Sequence, residues 1–231
     1  MEATEVRKLA ELEDKHWWYS ERRHLLAVAL RDMAPGAALD IGAAGGGNTR
    51  VLRRLGWRAA ALEYGADGAR IAAERGLLVV RGDATALPIA SGSCDLVVAF
   101  DVLEHIVEDK SAADEIFRVL RPGHHALIAV PCDPELWSAH DDAVDHVRRY
   151  TRPTLTALLG GAGFDIVSLD SWNVLLRPVV KLRRKSTSGS DLKPLNPLVN
   201  AGLKAIIAAE RVLPLKNRRG VSLVAKVRRP A

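Results

Sequence analysis

The chain has 231 residues, 48% of them hydrophobic and 26% charged, with 18 Gly, 11 Pro and a net charge of +5; this excludes disordered, collagenous and coiled-coil proteins and suits one α/β domain with additions. Its two cysteines, Cys94 and Cys132, are far apart and outside any metal-ligand spacing, which argues against a disulfide scaffold or zinc module and for a cytoplasmic protein. Residues 1–15 are dense in charge and lack the apolar core of a signal peptide, and no apolar run approaches the roughly 18 residues of a membrane span, so secretion and membrane insertion are disfavoured.

In chain order, residues 1–35 are expected to form a helical cap, in which the cluster His16, Trp17, Trp18 and Tyr19 precedes an amphipathic helix predicted over 24–33. Apolar, β-prone runs follow at 37–41, 59–62, 77–80, 96–100, 126–130 and 164–169, and helical spacing falls between most of them, at 49–55, 66–75, 112–120 and 154–159. Short, nearly continuous apolar strands alternating with helices predict a doubly wound, mostly parallel α/β sheet over residues 36–172. Two basic amphipathic helices, 173–184 and 196–212, joined by a Ser/Thr/Gly-rich loop at 185–191, then form an insertion that ends near residue 219. Alternation over 221–227 predicts a strand returning to the sheet.

The charge is divided along the chain. Residues 1–176 carry 19 basic against 26 acidic side chains, whereas residues 177–231 carry 14 against 2. A basic tail interleaved with Leu, Val and Ile is read in two ways: as a surface for an anionic partner, or as a lid packed on the sheet with its cations in water. No nucleic-acid module is recognisable, and aromatic residues are absent after Trp172, so an anionic membrane surface is the favoured partner and nucleic acid is not expected.

The segment Leu39-Asp40-Ile41-Gly42-Ala43-Ala44-Gly45-Gly46-Gly47 closes the first strand and opens a helix. Glycines there permit a tight turn and a close ligand approach at the carboxyl edge of the sheet. Glu63, at the end of the second strand, is placed to accept hydrogen bonds from ribose hydroxyls. A carboxylate from Asp40 at the mouth of the loop would repel a pyrophosphate and tolerate a cationic sulfonium ligand. The alternative is that Asp40 caps the following helix.

Further motifs follow in order: Gly82-Asp83-Ala84 with Leu87-Pro88, Cys94-Asp95-Leu96-Val97, Asp101-Val102-Leu103-Glu104-His105, Arg118-Val119-Leu120-Arg121-Pro122-Gly123 and Ala162-Gly163-Phe164. Together with the glycine loop, they make residues 37–164 resemble the class I S-adenosylmethionine-dependent methyltransferases of the general small-molecule type. Two departures are Ala44, where the family carries the middle glycine of its loop, and His124, where it carries another glycine. The resemblance implies a seven-stranded Rossmann-like sheet whose last strand is antiparallel, with S-adenosyl-L-methionine as methyl donor and S-adenosyl-L-homocysteine as product. It implies that Asp40, Gly42 and Gly46 frame the methionine part and that Glu63 holds the ribose, with Ala44 and Tyr64 also on the cofactor. Asp83 and Ala84 would face the adenine, and Asp101 and Val102 would line the floor. Trp17, Trp18 and Tyr19 would close over the cofactor, with Arg22 or Arg23 on its carboxylate, unless the tryptophans are simply core.

The loop after the fifth strand, residues 131–151, is rich in ionisable groups. His146 is the candidate acceptor-side base, His105 the competing one, and Trp137, His140, Arg148, Arg149 and Tyr150 are candidate substrate contacts. No metal ligand set is assigned, because no tight His spacing is present. The His-Trp-Trp-Tyr cluster and this loop are similar to those of a subgroup found among polysaccharide and glycolipid assembly enzymes. The expected reaction is therefore methylation, foremost at oxygen, of a small-molecule or saccharide-like acceptor, with a lipid-linked one and weak contact with the inner membrane surface included. Methylation at nitrogen or carbon, a nucleotide-cofactor oxidoreductase and a non-catalytic cofactor-binding module are the alternatives.

Overall fold

A computed structural model describes residues 7, 10–184 and 195–231; the loop expected at 185–191 lies outside them. The strands are β1 (Ala37–Ile41), β2 (Arg58–Glu63), β3 (Leu78–Arg81), β4 (Cys94–Phe100), β5 (Leu120–Pro131), β6 (Asp165–Trp172) and β7 (Ser222–Arg228). They form one seven-stranded sheet in the order β3-β2-β1-β4-β5-β7-β6. The first five run parallel, and β7 lies antiparallel between β5 and β6, with Ala129 opposite Val224 and Leu169 opposite Ala225. β1 leads outward through β2 and β3, whereas β4 starts the opposite half, so the strand order reverses between β1 and β4. The crevice at such a reversal is where open α/β sheets bind ligands.

The helices are α1 (Trp17–Ala29), α2 (Gly47–Arg54), α3 (Ala66–Glu74), α4 (Asp109–Val119), α5 (Ala139–Ala143), α6 (Arg152–Gly161), α7 (Arg177–Arg184) and α8 (Pro197–Glu210). Alternation in the central strands divides the core between two faces. Leu39, Val97, Ala99, Ala126 and Ile128 pack with Ala112 and Ile116 of α4 and Leu155 and Leu159 of α6. Ala38, Leu96, Val98, Leu127 and Ala129 pack with Leu26 of α1 and Val51 and Leu52 of α2. Residues 96–99 are buried on both faces, which is why they read as one continuous apolar run.

Two helix starts differ markedly from the sequence expectation. The helix expected over 24–33 begins at Trp17 and so contains Trp17, Trp18 and Tyr19. His16 caps it by accepting from the Trp18 amide, and the Trp17 amide donates to Asn200 Oδ1 at 2.9 Å. The helix expected over 173–184 begins only at Arg177, because Asn173 takes a left-handed conformation at φ 61°. That turn carries Leu176 into a third core cluster with Trp17, Trp172 and Ile207. α8 is pinned on α1 by an ion pair of Arg211 with Glu21 and on the turn by the Leu175 amide donating to Glu210. Much of the basic insertion is therefore a packed roof over the carboxyl edge of the sheet.

Gly46 is the N-cap of α2 at φ 82°, and a Cβ there would lie 2.1 Å from Leu77 Cδ1. Left-handed backbone and overpacking each cost about 1 to 3 kcal/mol. Gly46→Ala is expected to lower unfolding free energy by roughly 2 to 4 kcal/mol in denaturant melts; a midpoint unchanged from wild type would contradict the assigned loop conformation.

Candidate active site

A cavity of about 760 Å³ opens at the carboxyl ends of β1, β2 and β4. Its β1–β2 side is built from Gly42, Ala43, Ala44, Glu63, Tyr64, Asp83 and Ala84, and its β4–β5 side from Asp101, Val102, Glu104, His105, His140, His146 and Arg149. Trp17, Trp18, Tyr19 and Arg22 of α1 join Asn173, Leu176, Val180 and Leu203 of the insertion in closing it.

The glycine loop is held from above and below. Glu63 accepts the Ala44 amide on Oε2 at 2.7 Å and the Gly65 amide on Oε1 at 3.0 Å. Ala44 itself is left-handed at φ 46°, which explains physically why a glycine is the usual occupant. Gly42, at φ 65°, would bring a Cβ to 2.6 Å from Val102, so the loop lies directly against the turn after β4. Asp40 does not stand at the mouth of the loop as expected. It is buried beneath it, does not line the cavity, and accepts the Thr49 hydroxyl of α2 at 2.6 Å. The bond ties strand to helix without capping it, since the N-cap of α2 is Gly46 with no side-chain cap, and burial pushes the Asp40 carboxyl up to about 7 against the hydrogen bonds from Thr49. Gly46 also lies outside the cavity lining, as the buried cap of α2. Asp83 forms a turn with Thr85, accepting its amide at 2.8 Å and its hydroxyl at 2.7 Å, and these bonds lower its pKa.

Arg22 joins three parts of the chain. Its Nη2 donates to Asp101 Oδ1 at 2.6 Å and to Ser222 Oγ at 3.0 Å, and its guanidinium lies 4.9 Å from the Trp18 ring and 4.7 Å from the Trp172 ring. Only 3% exposed, it retains Nε and Nη1 without a protein partner. Both amide atoms of Asn173 and both carboxylate oxygens of Glu104 are likewise buried on the cavity wall without a partner. Buried polar atoms left unpaired by the fold mark a site built for something other than the fold.

On the β4–β5 side, the loop after β5 is stitched to the turn after β4. The Val147 amide donates to Glu104 O at 2.8 Å, Arg148 donates to Val107 O and pairs with Asp109, and the Tyr150 hydroxyl donates to Leu103 O and Asp109. Arg148 and Tyr150 therefore secure the loop and do not line the cavity; Trp137, which donates to Asp142, does not line it either. Arg149 reaches the cavity wall but is bonded to Asp141 and to Cys132 O. His140 and His146 do face the cavity.

Asp141, which sequence reasoning did not single out, organises this region. Its Oδ2 accepts the Ser138 amide in a capping box, and its Oδ1 accepts His146 Nδ1 and Arg149 Nε, each at 2.8 Å. Burial alone would raise this carboxyl, but the bonds from His146 and Arg149 outweigh it and hold it well below the usual range. A carboxylate so ionised can only accept, so His146 carries its proton on Nδ1 and presents Nε2, 3.8 Å from Glu104 Oε1. His105 stacks edge-on against His146 at 4.8 Å, and the surrounding protein, then His146, lowers its pKa. Glu104 is displaced well upward, by burial and then by Asp101. Its only sequence signal was its place in the Asp101-to-His105 motif.

The profile of the methyltransferase domain family matches residues 15–169. The chain belongs to this family, and its fold is that of the class I S-adenosylmethionine-dependent methyltransferases. It is 28% identical over 169 residues to a probable S-adenosylmethionine-dependent methyltransferase of Mycolicibacterium smegmatis, covering 71% of this chain and 65% of that one. It is 26% identical over 176 residues to another from Mycobacterium tuberculosis, covering 72% and 62%. Among solved structures it is similar to Haemonchus contortus phosphoethanolamine N-methyltransferase 2 in complex with S-adenosyl-L-methionine, with a TM-score of 0.64 at 18% identity over 91% of this chain and 53% of that one. The chain thus spans less than two thirds of the length of each of these relatives.

Asp40 gives a pH dependence of defined sign. Its folded pKa, about 7, lies above the ordinary value of 3.8, so the folded state holds this proton more tightly. Its contribution to stability is full below about pH 4 and is lost as pH rises through about 7. Relative to Asp40→Asn, the wild type is expected to lose up to roughly 4 kcal/mol between those limits; parallel stability profiles for the two proteins would contradict this.

Proposed function

We propose that the protein transfers a methyl group from S-adenosyl-L-methionine to an oxygen of a small-molecule or saccharide-like acceptor. The observation that carries this reading is the division of one cavity between a glycine loop tied to Glu63 and a cluster of His105, His146 and Glu104. The cofactor, when bound, supplies an electrophilic methyl group on a sulfonium.

The residues present suit that ligand. Glu63 uses each carboxylate oxygen for one backbone amide, and its remaining lone pairs suit two ribose hydroxyls. The unpartnered Nε and Nη1 of Arg22 suit a carboxylate, and the Asp101 carboxylate, part-exposed beside them, suits an ammonium. Asp83 and Ala84, with Tyr64, supply the wall for the base. Asp40 acts from beneath, by fixing the loop to α2. Trp17, Trp18, Leu176 and Leu203 keep water out, which an in-line displacement requires. His146, oriented by Asp141, meets the acceptor hydroxyl through Nε2 and lowers the cost of its losing a proton; His105 and His140 flank it.

Glu63→Ala is expected to weaken S-adenosylmethionine binding at least about tenfold in calorimetry, since hydrogen bonds to a charged group are worth roughly 1.5 to 3 kcal/mol. His146→Ala is expected to lower turnover by roughly 100-fold or more with cofactor affinity nearly unchanged. The acceptor pool for the turnover assay comes from extracts incubated with isotopically labelled cofactor and read by mass spectrometry. A protein that bound a nicotinamide dinucleotide and ignored S-adenosylmethionine would overturn the proposal.

A lipid-linked acceptor is favoured by the outer surface of the roof. Leu182 of α7, Leu198 of α8 and Val212 just beyond it are 73%, 83% and 84% exposed, within the segment that carries the excess of basic charge. Among the described residues no helix is long and apolar enough to cross a membrane, so the contact proposed is peripheral. The protein is expected to pellet with anionic liposomes at low salt and to be released at higher salt; no lipid-dependent pelleting at low salt would remove the membrane from this reading.

A further inference from the structure

We propose that Glu104, His105 and His146 form a binding site for a divalent first-row transition-metal ion on the wall of the cavity. The inference deepens the functional reading, because it rests on these residues facing the acceptor. One ligand atom from each of the three lies within 4.8 Å of the others. Ligands sharing an ion through bonds of about 2 Å stand roughly 3 to 4 Å apart, so small side-chain rotations close the set.

Three features distinguish this cluster from a chance gathering of polar groups. Both imidazoles bond an oxygen through Nδ1, His105 to Asp145 O at 3.3 Å and His146 to Asp141 Oδ1 at 2.8 Å. Their Nε2 atoms are left for a ligand, and an outer oxygen that fixes ring and tautomer is the usual support of a metal-bound histidine. Glu104 has no exposed surface, and neither carboxylate oxygen accepts a hydrogen bond. Neither nearby guanidinium hydrogen-bonds Glu104: Arg22 Nη2 is bonded to Asp101 and Ser222, and Arg149 to Asp141 and Cys132. A carboxylate so placed stays ionised only beside a cation. Two imidazoles with one carboxylate select zinc, manganese, iron or cobalt over magnesium and calcium, which prefer all-oxygen sets.

Three protein ligands leave coordination positions open toward the cavity. An acceptor oxygen entering there would be polarised by the ion, which would replace the direct contact of His146. The set joins two loops that only the tertiary structure brings together, so no short sequence spacing announces it.

The test uses the full chain, stripped with chelator, desalted and titrated with cobalt(II) or zinc(II). One equivalent of ion is expected, with the visible absorption of imidazole-bound cobalt. Glu104→Gln and His105→Ala should each lose it, and Asp141→Asn, which acts through His146, should weaken it roughly 10- to 100-fold. His124→Ala, outside the cavity, should bind as wild type, and circular dichroism verifies that each variant is folded. No stoichiometric binding by wild type, or full affinity retained by both Glu104→Gln and His105→Ala, would overturn the site. Calorimetry of S-adenosylmethionine on the metal-free protein separates the two readings: metal bound without cofactor binding sustains the site and overturns the function proposed above.

Discussion

The guanidinium of Arg22 is the interaction on which the closed form of this molecule depends. It extends from α1 to Asp101 at the end of β4 and to Ser222 at the start of β7, and it lies against the paired indoles of Trp18 and Trp172. The N-terminal helix, the parallel core and the returning strand thus share one buried charge. Breaking a buried pair on one side is strongly destabilising, whereas the pair itself contributes little net stability. Its effect is on specificity: the cap has one position over the sheet, because only there is the guanidinium bonded. The same position leaves two of its nitrogens without a hydrogen-bond partner in a side chain that lines the cavity, so the group that closes the fold also belongs to the site.

A second buried ion does for the acceptor side what Arg22 does for the cap. Asp141 lies in a helix of five residues, too short to be stable alone. Ser138, His146, Arg149 and Arg184 all converge on its carboxylate. The loop is then sewn to the turn after β4 by Val147, Arg148 and Tyr150. The outcome is a loop rich in polar groups but rigid, in which His146 has one tautomer and one direction. Precision of that kind is what positioning a nucleophile demands.

Backbone strain is concentrated around the cavity. Ala44, Asp101, Asp133, Asp145 and Asn173 take positive φ without being glycine. Asp101 and Asn173 follow directly on β4 and β6, and Ala44 lies in the glycine loop after β1, where the chain must turn sharply to leave the sheet edge. Ala44 bears the largest steric penalty of the five, since Asp and Asn tolerate the left-handed region better. Its amide bond to Glu63 shows what holds it there.

The strands were legible because each is a short apolar run between turn residues, and six of seven fall within a few residues of where alternation and Gly or Pro punctuation put them. β5 is the exception in length: it runs back through Arg121 to His125, where a shift of register against β4 takes up Pro122 and Gly123. The glycine loop and Glu63 were legible for the same local reason. What was not legible was the direction of side chains. Whether Asp40 faces the ligand or Thr49, whether Arg148 and Tyr150 meet a substrate or Asp109, and that Glu104 meets His146, are decided by partners far away in sequence. Local pattern determines which backbone states a segment can adopt; which face of a polar residue is buried, and against what, is set only when the sheet brings the ends of β1, β4 and β5 together.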